Sequence, residues 1–354
     1  MNLLSMFDIP ENISTKYYDS IDLFSRESIW QLCYRDLRNS KVQIADPSEL
    51  SELCYNTATV FPDNLQEMAT QVLNNGKSNL LNAKTLFGKG IKVAVIDRPI
   101  NQNHIEFKNR LEYIEVLPEH EASSIFDFHG MVCASFLCGS TCGVASEAEL
   151  VYFAIPNKMD PIEEYYGYQL TALQKVLEYN KSNKNPIRIV SLSAPFAKEQ
   201  LPQREELVCE LAKTNCTVID ATMHGKYFQG IDFERYQEKP RCILNRWQYE
   251  NFERNKERRG FVDYFNDLCF VPSSRRTSAG NESDTEYIHW SKAASESWTI
   301  PHVAGAYALC LQVQPNLSFL EFLKYSKLCA RQNEHIILDV DSIVNNMCKD
   351  RESS

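Results

Sequence analysis

Short, mostly apolar runs alternate with helical hydrophobic patterns through most of the chain beyond residue 90. The runs lie at 91–96, 150–155, 187–192 and 217–221. Runs of this length that lack strict alternation are typical of strands covered on both faces. Helical spacing of apolar residues follows at 129–138 and 168–179. The alternation predicts an α/β fold in three layers, with a mainly parallel sheet between two layers of helices.

The first 85 residues have a different pattern. Apolar residues at helical spacing over 25–37 and 63–74 predict helices, and Asp46 followed by Pro47 is typical of a helix start. The region therefore reads as mostly helical. Together with the later patterns it divides the chain into an accessory or propeptide-like region at 1–85, a larger domain at 86–348 and a polar tail at 349–354.

Two further segments have a local sequence pattern that predicts their secondary structure. Ser318 and Glu321 have the spacing of a capping box, which predicts a helix that begins at Phe319. The segment 226–291 is rich in aromatic and charged residues, and we expect strands and loops there. No internal repeat or low-complexity segment interrupts the chain.

Composition and charge exclude several classes of partner. The chain has 354 residues, 44% of them hydrophobic and 24% charged, which is ordinary for a globular protein. A net charge of -10 argues against nucleic-acid binding as the main activity, because phosphate contacts need clustered Lys and Arg. No apolar run reaches the roughly 18 residues of a membrane span. The sequence predicts neither a nucleic-acid nor a membrane partner.

The cysteines favour a reducing compartment. Twelve are spread through predicted strands and helices of a chain too large to need disulfides. Cys133, Cys138 and Cys142 cluster without a Cys-x-x-Cys pair or partnering histidines, which argues against a zinc site. No loop has the carboxylate spacing of a calcium site either, so we predict no obligatory metal. The first residues lack a basic segment and reach an acid at Asp8, unlike a signal peptide. We expect a cytoplasmic protein, with export by another route left open.

Three polar residues lie at positions that are typical of reactive side chains. Asp97 ends the run at 91–96, and His129 opens the helical pattern at 129–138. Ser297 lies near the start of an apolar, small-residue helix, where exposed backbone N–H groups stabilise negative charge. Their order along the chain, Asp then His then Ser, is one of the orders in which Ser-His-Asp triads occur.

These segments resemble the three signature blocks of the subtilases, the subtilisin-like serine proteases. The blocks are GKGIKVAVID at 88–97, HGMVCAS at 129–135 and SWTIPHVAG at 297–305. Weaker matches occur at 104–107, 143–150 and 189–193, so that the resemblance spans about residues 86–345. It implies a subtilisin-like fold. Secreted subtilases carry a propeptide of comparable length where this chain has residues 1–85.

The resemblance implies a serine endopeptidase that cleaves peptides or proteins through an acyl-enzyme, without a cofactor. Ser297 would be the nucleophile and His129 the general base and acid, while Asp97 would orient the imidazole. His224 matches the asparagine that donates to the oxyanion, and histidine keeps an N–H donor in either protonation state. A loop histidine without a catalytic role is the alternative. Substrate-lining positions fall on Ser191, Ser193 and Ala194.

Several positions depart from the family pattern. Ser295-Glu296 replaces the usual Gly-Thr, Met131 replaces a threonine, and Ala194-Pro195 replaces Leu-Gly or Trp-Gly. Proline removes an N–H where an extended peptide would pair. We therefore expect restricted specificity. Two alternatives stay open: a peptide-binding module that has lost turnover, and a peptide ligase or cyclase of the same fold.

Overall fold

The structure is a computed structural model. It describes residues 41–43, 86–117, 128–140, 143–156, 162–223, 226–233, 242–243, 269–272, 276–281, 283–290, 296–328, 338 and 340–353. The helices predicted within 1–85 lie outside the described residues. In that region the structure describes a strand at Lys41–Gln43.

The described strands are β1 (Lys41–Gln43), β2 (Lys92–Asp97), β3 (Leu111–Glu115), β4 (Glu149–Ala154), β5 (Ile189–Leu192), β6 (Thr217–Asp220), β7 (Phe228–Phe233), β8 (Cys242–Ile243), β9 (Cys269–Pro272), β10 (Arg276–Ala279) and β11 (Glu286–Trp290). Within the described part of the chain, a parallel sheet has the order β3-β4-β2-β5-β6. Two smaller sheets have the orders β1-β11-β10 and β8-β7-β9.

The described helices are α1 (Phe128–Cys138), α2 (Ile162–Ser182), α3 (Leu201–Lys213), α4 (Glu296–Val313), α5 (Phe319–Leu328) and α6 (Val340–Ser353). Successive residues of β2 face opposite sides of the sheet. Val93 and Val95 pack in one core with α1 and α4, whereas Ala94 and Ile96 pack in a second core with α2 and α3. The predicted three-layer α/β fold is confirmed. None of the described helices combines the length and apolarity that crossing a membrane requires.

Most of the predicted elements lie close to their predicted positions, whereas β1, β3, α3 and α6 were not predicted. β3 is an edge strand whose residues are only partly buried, so it lacks an apolar run. It packs partly on both cores, through Leu111 and Tyr113 on one side and Ile114 on the other.

In α3 the buried residues are Leu207 and Leu211, with Leu201 and Val208 partly buried beside them, and six of its thirteen residues are charged or amide side chains. Whereas β3 packs partly on both cores, α3 buries one narrow face. Each arrangement leaves a weak hydrophobic signal.

The two C-terminal helices differ in how well the sequence predicted them, and α5 follows its local signal. At the start of α5, Ser318 N–H donates to Oε2 of Glu321 at 2.8 Å, and Glu321 N–H donates to Oγ of Ser318 at 3.2 Å. This reciprocal pair confirms the predicted capping box. The predicted boundary of a polar tail at 349 falls within α6, which runs to Ser353.

Close packing of α4 depends on Gly305. An added Cβ there would lie 2.6 Å from Cβ of Val144 and 3.2 Å from the carbonyl oxygen of Leu137. Gly167 in α2 is the opposite case, because nothing lies within 4 Å of its added Cβ.

We therefore expect opposite effects from two Gly→Ala substitutions within helices. Gly305→Ala should lower the free energy of unfolding by about 1–3 kcal/mol, since overpacking outweighs the gain in helix propensity. Gly167→Ala should raise it by up to about 1 kcal/mol, because alanine is the better helix former. Urea denaturation of both variants checks this prediction. A shift of the same sign in both would contradict it.

Candidate active site

A buried hydrogen bond joins Asp97 to His129. Asp97 ends β2, and its Oδ2 accepts from Nδ1 of His129 at 2.8 Å. Its Oδ1 accepts from the backbone N–H of Arg98 at 2.8 Å. Both side chains are buried, with exposed fractions of 3% and 8%. A proton on Nδ1 leaves Nε2 of the imidazole to act as the base.

Gly130 explains why glycine follows the histidine. An added Cβ at this position would lie 2.2 Å from the hydroxyl oxygen of Tyr152 and 2.7 Å from the carbonyl oxygen of Arg98. The same hydroxyl donates to that carbonyl at 2.5 Å. The first turn of α1 therefore packs directly on the residue after Asp97. This approach brings the imidazole of His129 within reach of the carboxylate.

The two partners shift each other's pKa in opposite directions. Burial is the largest influence on Asp97 and raises its pKa, but the charge and hydrogen bond of His129, helped by Arg98, outweigh burial and lower it. Burial likewise lowers the pKa of His129. The charges of Asp97 and Cys133 and their hydrogen bonds outweigh that effect and raise the pKa of His129 to about 10. The pair is thus stabilised as carboxylate and imidazolium.

Ser297 lies next to this pair, as the second residue of α4. Cys133 Sγ lies 3.8 Å from Nδ1 of His129 and donates to the carbonyl oxygen of Ser297 at 3.6 Å. The ring of Trp298 lies 5.5 Å from the imidazole. The hydroxyl of Ser297 is partly exposed and donates to the carbonyl oxygen of Ser193 at 3.5 Å. The structure therefore brings the three predicted residues into one cluster.

A proline in α4 determines how the backbone of Ser297 is held. Within a helix the carbonyl of residue 297 would accept from the N–H of residue 301, but Pro301 has none. Ser193 Oγ supplies a donor to this carbonyl at 2.9 Å, and Cys133 Sγ supplies a weaker one. Side chains from β5's end and from α1 thus replace one backbone hydrogen bond at the candidate nucleophile.

The predicted substrate-lining residues differ in their placement. Ser191 is 1% exposed within β5, and its hydroxyl has no hydrogen-bond partner among the described residues. Ser193 directs its hydroxyl to the backbone of Ser297. Ala194 is half-buried beside the second core. The side chains of the two serines therefore face the protein in this arrangement. His224 lies outside the described residues.

Cys133 is the site residue that the sequence analysis did not assign. It was grouped there with Cys138 and Cys142, but it follows His129 by one helical turn, a spacing that places two side chains on one face. Ligand atoms of Asp97, His129 and Cys133 lie within 4.8 Å of one another. A metal would need a deprotonated thiol and Nδ1, yet Nδ1 donates to the carboxylate and burial raises the thiol's pKa. The arrangement favours the hydrogen-bonded pair.

No family model matches the chain. Curated relatives include the subtilisin-like serine protease Cur l 4.0101 of Cochliobolus lunatus, 23% identical over 238 residues, which cover 64% of this chain and 45% of that protein. A subtilisin-like protease of Coccidioides posadasii is 25% identical over 232 residues, covering 64% of this chain and 53% of that protein. The chain spans about half the length of these relatives.

Solved structures resemble the fold. The subtilase cytotoxin SubAB aligns with a TM-score of 0.56 and 11% identity, over 84% of this chain and 96% of that one. Fervidolysin of Fervidobacterium pennivorans, a keratinolytic enzyme related to subtilisin, aligns with a TM-score of 0.53 and 13% identity. The alignment covers 80% of this chain and 47% of that one. The subtilisin-like fold and the subtilisin-like proteases among its relatives support assignment of the chain to the subtilase family.

Proposed function

We propose that the protein is a serine endopeptidase in which Ser297, His129 and Asp97 form the catalytic triad. The observation that carries the proposal is the buried 2.8 Å hydrogen bond between Asp97 and His129, beside a serine in the first turn of α4. The relatives named as proteases support the same class of reaction.

Hydrolysis would proceed in two steps. Nε2 of His129 takes the hydroxyl proton as Oγ of Ser297 attacks the peptide carbonyl, and the C–N bond breaks as the imidazolium gives that proton to the leaving amine. Water, deprotonated by the same imidazole, then attacks the acyl-enzyme, and the imidazolium returns the proton to Oγ of Ser297 as the ester bond breaks and the acid is released. Asp97 keeps the proton on Nδ1 and stabilises the imidazolium. No cofactor takes part in this scheme.

Two donors would stabilise the oxyanion in both steps. One is the backbone N–H of Ser297, which lies at the N-terminus of α4, where helical N–H groups lack intrahelical partners. We propose the imidazole of His224 as the second donor, because it follows the turn Ala221–Met223 directly in the sequence.

The substrate would be an extended peptide of restricted sequence. Pro195 offers no backbone N–H for pairing with such a peptide, and the hydroxyl of Ser193 is engaged by the backbone of Ser297. Fewer backbone contacts remain along β5's end, so side-chain pockets would have to supply more of the binding.

Labelling by a fluorophosphonate tests the nucleophile. We expect the full-length protein to gain the mass of one phosphonyl group, and Ser297→Ala to abolish that gain, because alanine has no hydroxyl to react. Ser182→Ala, at the exposed end of α2, is the matched control and should label as the parent does. Intact mass spectrometry measures the adduct. A parent that binds peptides but never labels would identify a binding module instead.

The pH dependence of fluorophosphonate labelling tests whether Asp97 raises the pKa of His129. His129 accepts a proton only when neutral, and its pKa is raised above 6.5, so the labelling rate should rise with pH through the alkaline range. Asp97→Asn removes the charge that raises this pKa and leaves burial, which lowers it. The midpoint should therefore move to lower pH, while the maximal rate falls by about 10⁴-fold.

Rates measured from pH 5 to 11, at ionic strength held constant, give both midpoints. The variant Asp284→Asn, an exposed acid of the loop that hydrogen-bonds Asn101, is the control and should keep the parent's midpoint. A parent midpoint below 6.5, or a midpoint that rises in Asp97→Asn, would contradict the electrostatic account.

A further inference from the structure

A second buried ion pair lies at the carboxyl end of the sheet, outside the triad. Asp220 ends β6, and its side chain is 0% exposed. Arg204, from the first turns of α3, approaches with Nε at 2.7 Å and Nη2 at 2.6 Å from Oδ2 of Asp220. Charge-assisted hydrogen bonds of this length are strong, and burial protects them from solvent screening.

The other oxygen of Asp220 fixes the backbone that follows. Its Oδ1 accepts from the N–H of Thr222 at 3.0 Å and from the hydroxyl of Thr222 at 2.5 Å. These bonds cap the short 3₁₀ turn Ala221–Met223. One carboxylate therefore ties this turn to α3, and the turn itself contacts α4, which carries Ser297.

Arg204 also reaches the segment after β5. Its guanidinium carbon lies 6.0 Å from the ring centroid of Phe196, within cation–π range. Phe196 follows Ser193 by three residues, and Ser193 bonds the carbonyl of Ser297. Leu192 and Asp220 are paired in the sheet, so the two segments leave it side by side. The ion pair thus contacts the ring of Phe196 in one segment and, through Asp220, Thr222 in the other.

Stabilisation of the fold does not by itself explain why an ion pair occupies this position. Burying two charges costs desolvation energy, and well-packed apolar residues are often as stable in the same place. The bonds of an arginine and a carboxylate have fixed directions, whereas apolar contacts do not. An ion pair therefore defines the separation of the two segments more sharply than a hydrophobic contact would.

We propose that Arg204 and Asp220 are positioning residues that hold segments 193–196 and 221–223 at a fixed separation beside α4, the helix that carries Ser297. A peptide would then meet a preformed cleft, and neither residue would touch it. Misplacement of about 1 Å at such a site costs up to about 10²-fold in rate. The kinetic part of this inference rests on the proposed protease function.

Three variants of the full-length protein test the pair. Arg204→Met leaves the carboxylate buried without its partner and is expected to lower stability. Arg204→Met combined with Asp220→Asn removes both charges, while the asparagine oxygen still accepts from Thr222. Arg204→Lys keeps the charge but loses the planar fork. Lys213→Met is the matched control, because it breaks the exposed Lys213–Glu210 pair of the same helix.

Hydrogen exchange of backbone amides gives the structural result. In the double variant we expect at least about 10-fold faster exchange over 193–200 and 217–223, with exchange over 92–97 unchanged, since local opening follows the loss of local contacts. Lys213→Met should exchange as the parent does. Unchanged exchange in both segments overturns the inference, whatever the activity.

Kinetics separate positioning from stabilisation. The double variant, with its unfolding transition restored toward the parent's, should still show kcat/KM lowered about 10- to 100-fold, and Arg204→Lys should recover part of the loss. A purely stabilising pair predicts parental kcat/KM in the double variant, and that result overturns the inference. Faster exchange in a protein whose Ser297 never labels would support the pair and refute the protease.

Discussion

The hydrogen bond between Asp97 and His129 is the contact on which the candidate chemistry depends. It forms because a strand end and a helix start approach closely, and that approach requires a residue without a side chain at Gly130. Exclusion of water from both side chains strengthens the attraction, and the opposed pKa shifts follow from the same proximity. The local geometry and the electrostatics therefore have a single origin in backbone packing.

Much of the fold could be predicted because its central strands are apolar on both faces. The strand that ends at Asp97 and the helix that begins at Phe319 both carry their signals within a few neighbouring residues. The edge strand β3 and the amphipathic helix α3 do not, since β3 is only partly buried and α3 buries a narrow face. The hydrophobic pattern therefore predicts a strand or helix more clearly when more of the surface of that element is buried.

In the candidate site, too, some residues could be predicted from the sequence and others could not. Asp97, His129 and Ser297 stand in recognisable sequence blocks, so they could be assigned before the structure was known. The ion pair of Arg204 and Asp220 joins a helix to a strand end, and neither residue has a distinctive local context. Pairings of this kind arise from the packing of separate elements. They become visible only when the strands and helices are in place.

The spacing of the cluster along the chain has a consequence for biosynthesis. Ser297 follows Asp97 by 200 residues, and α4 packs against α1 and the sheet that forms from earlier segments. A chain emerging from the ribosome therefore contains the acid and the imidazole well before it contains the alcohol. Contacts between such distant segments form late, after the loops that separate them have closed. Any reaction at this cluster is confined to chains whose synthesis has passed Ser297.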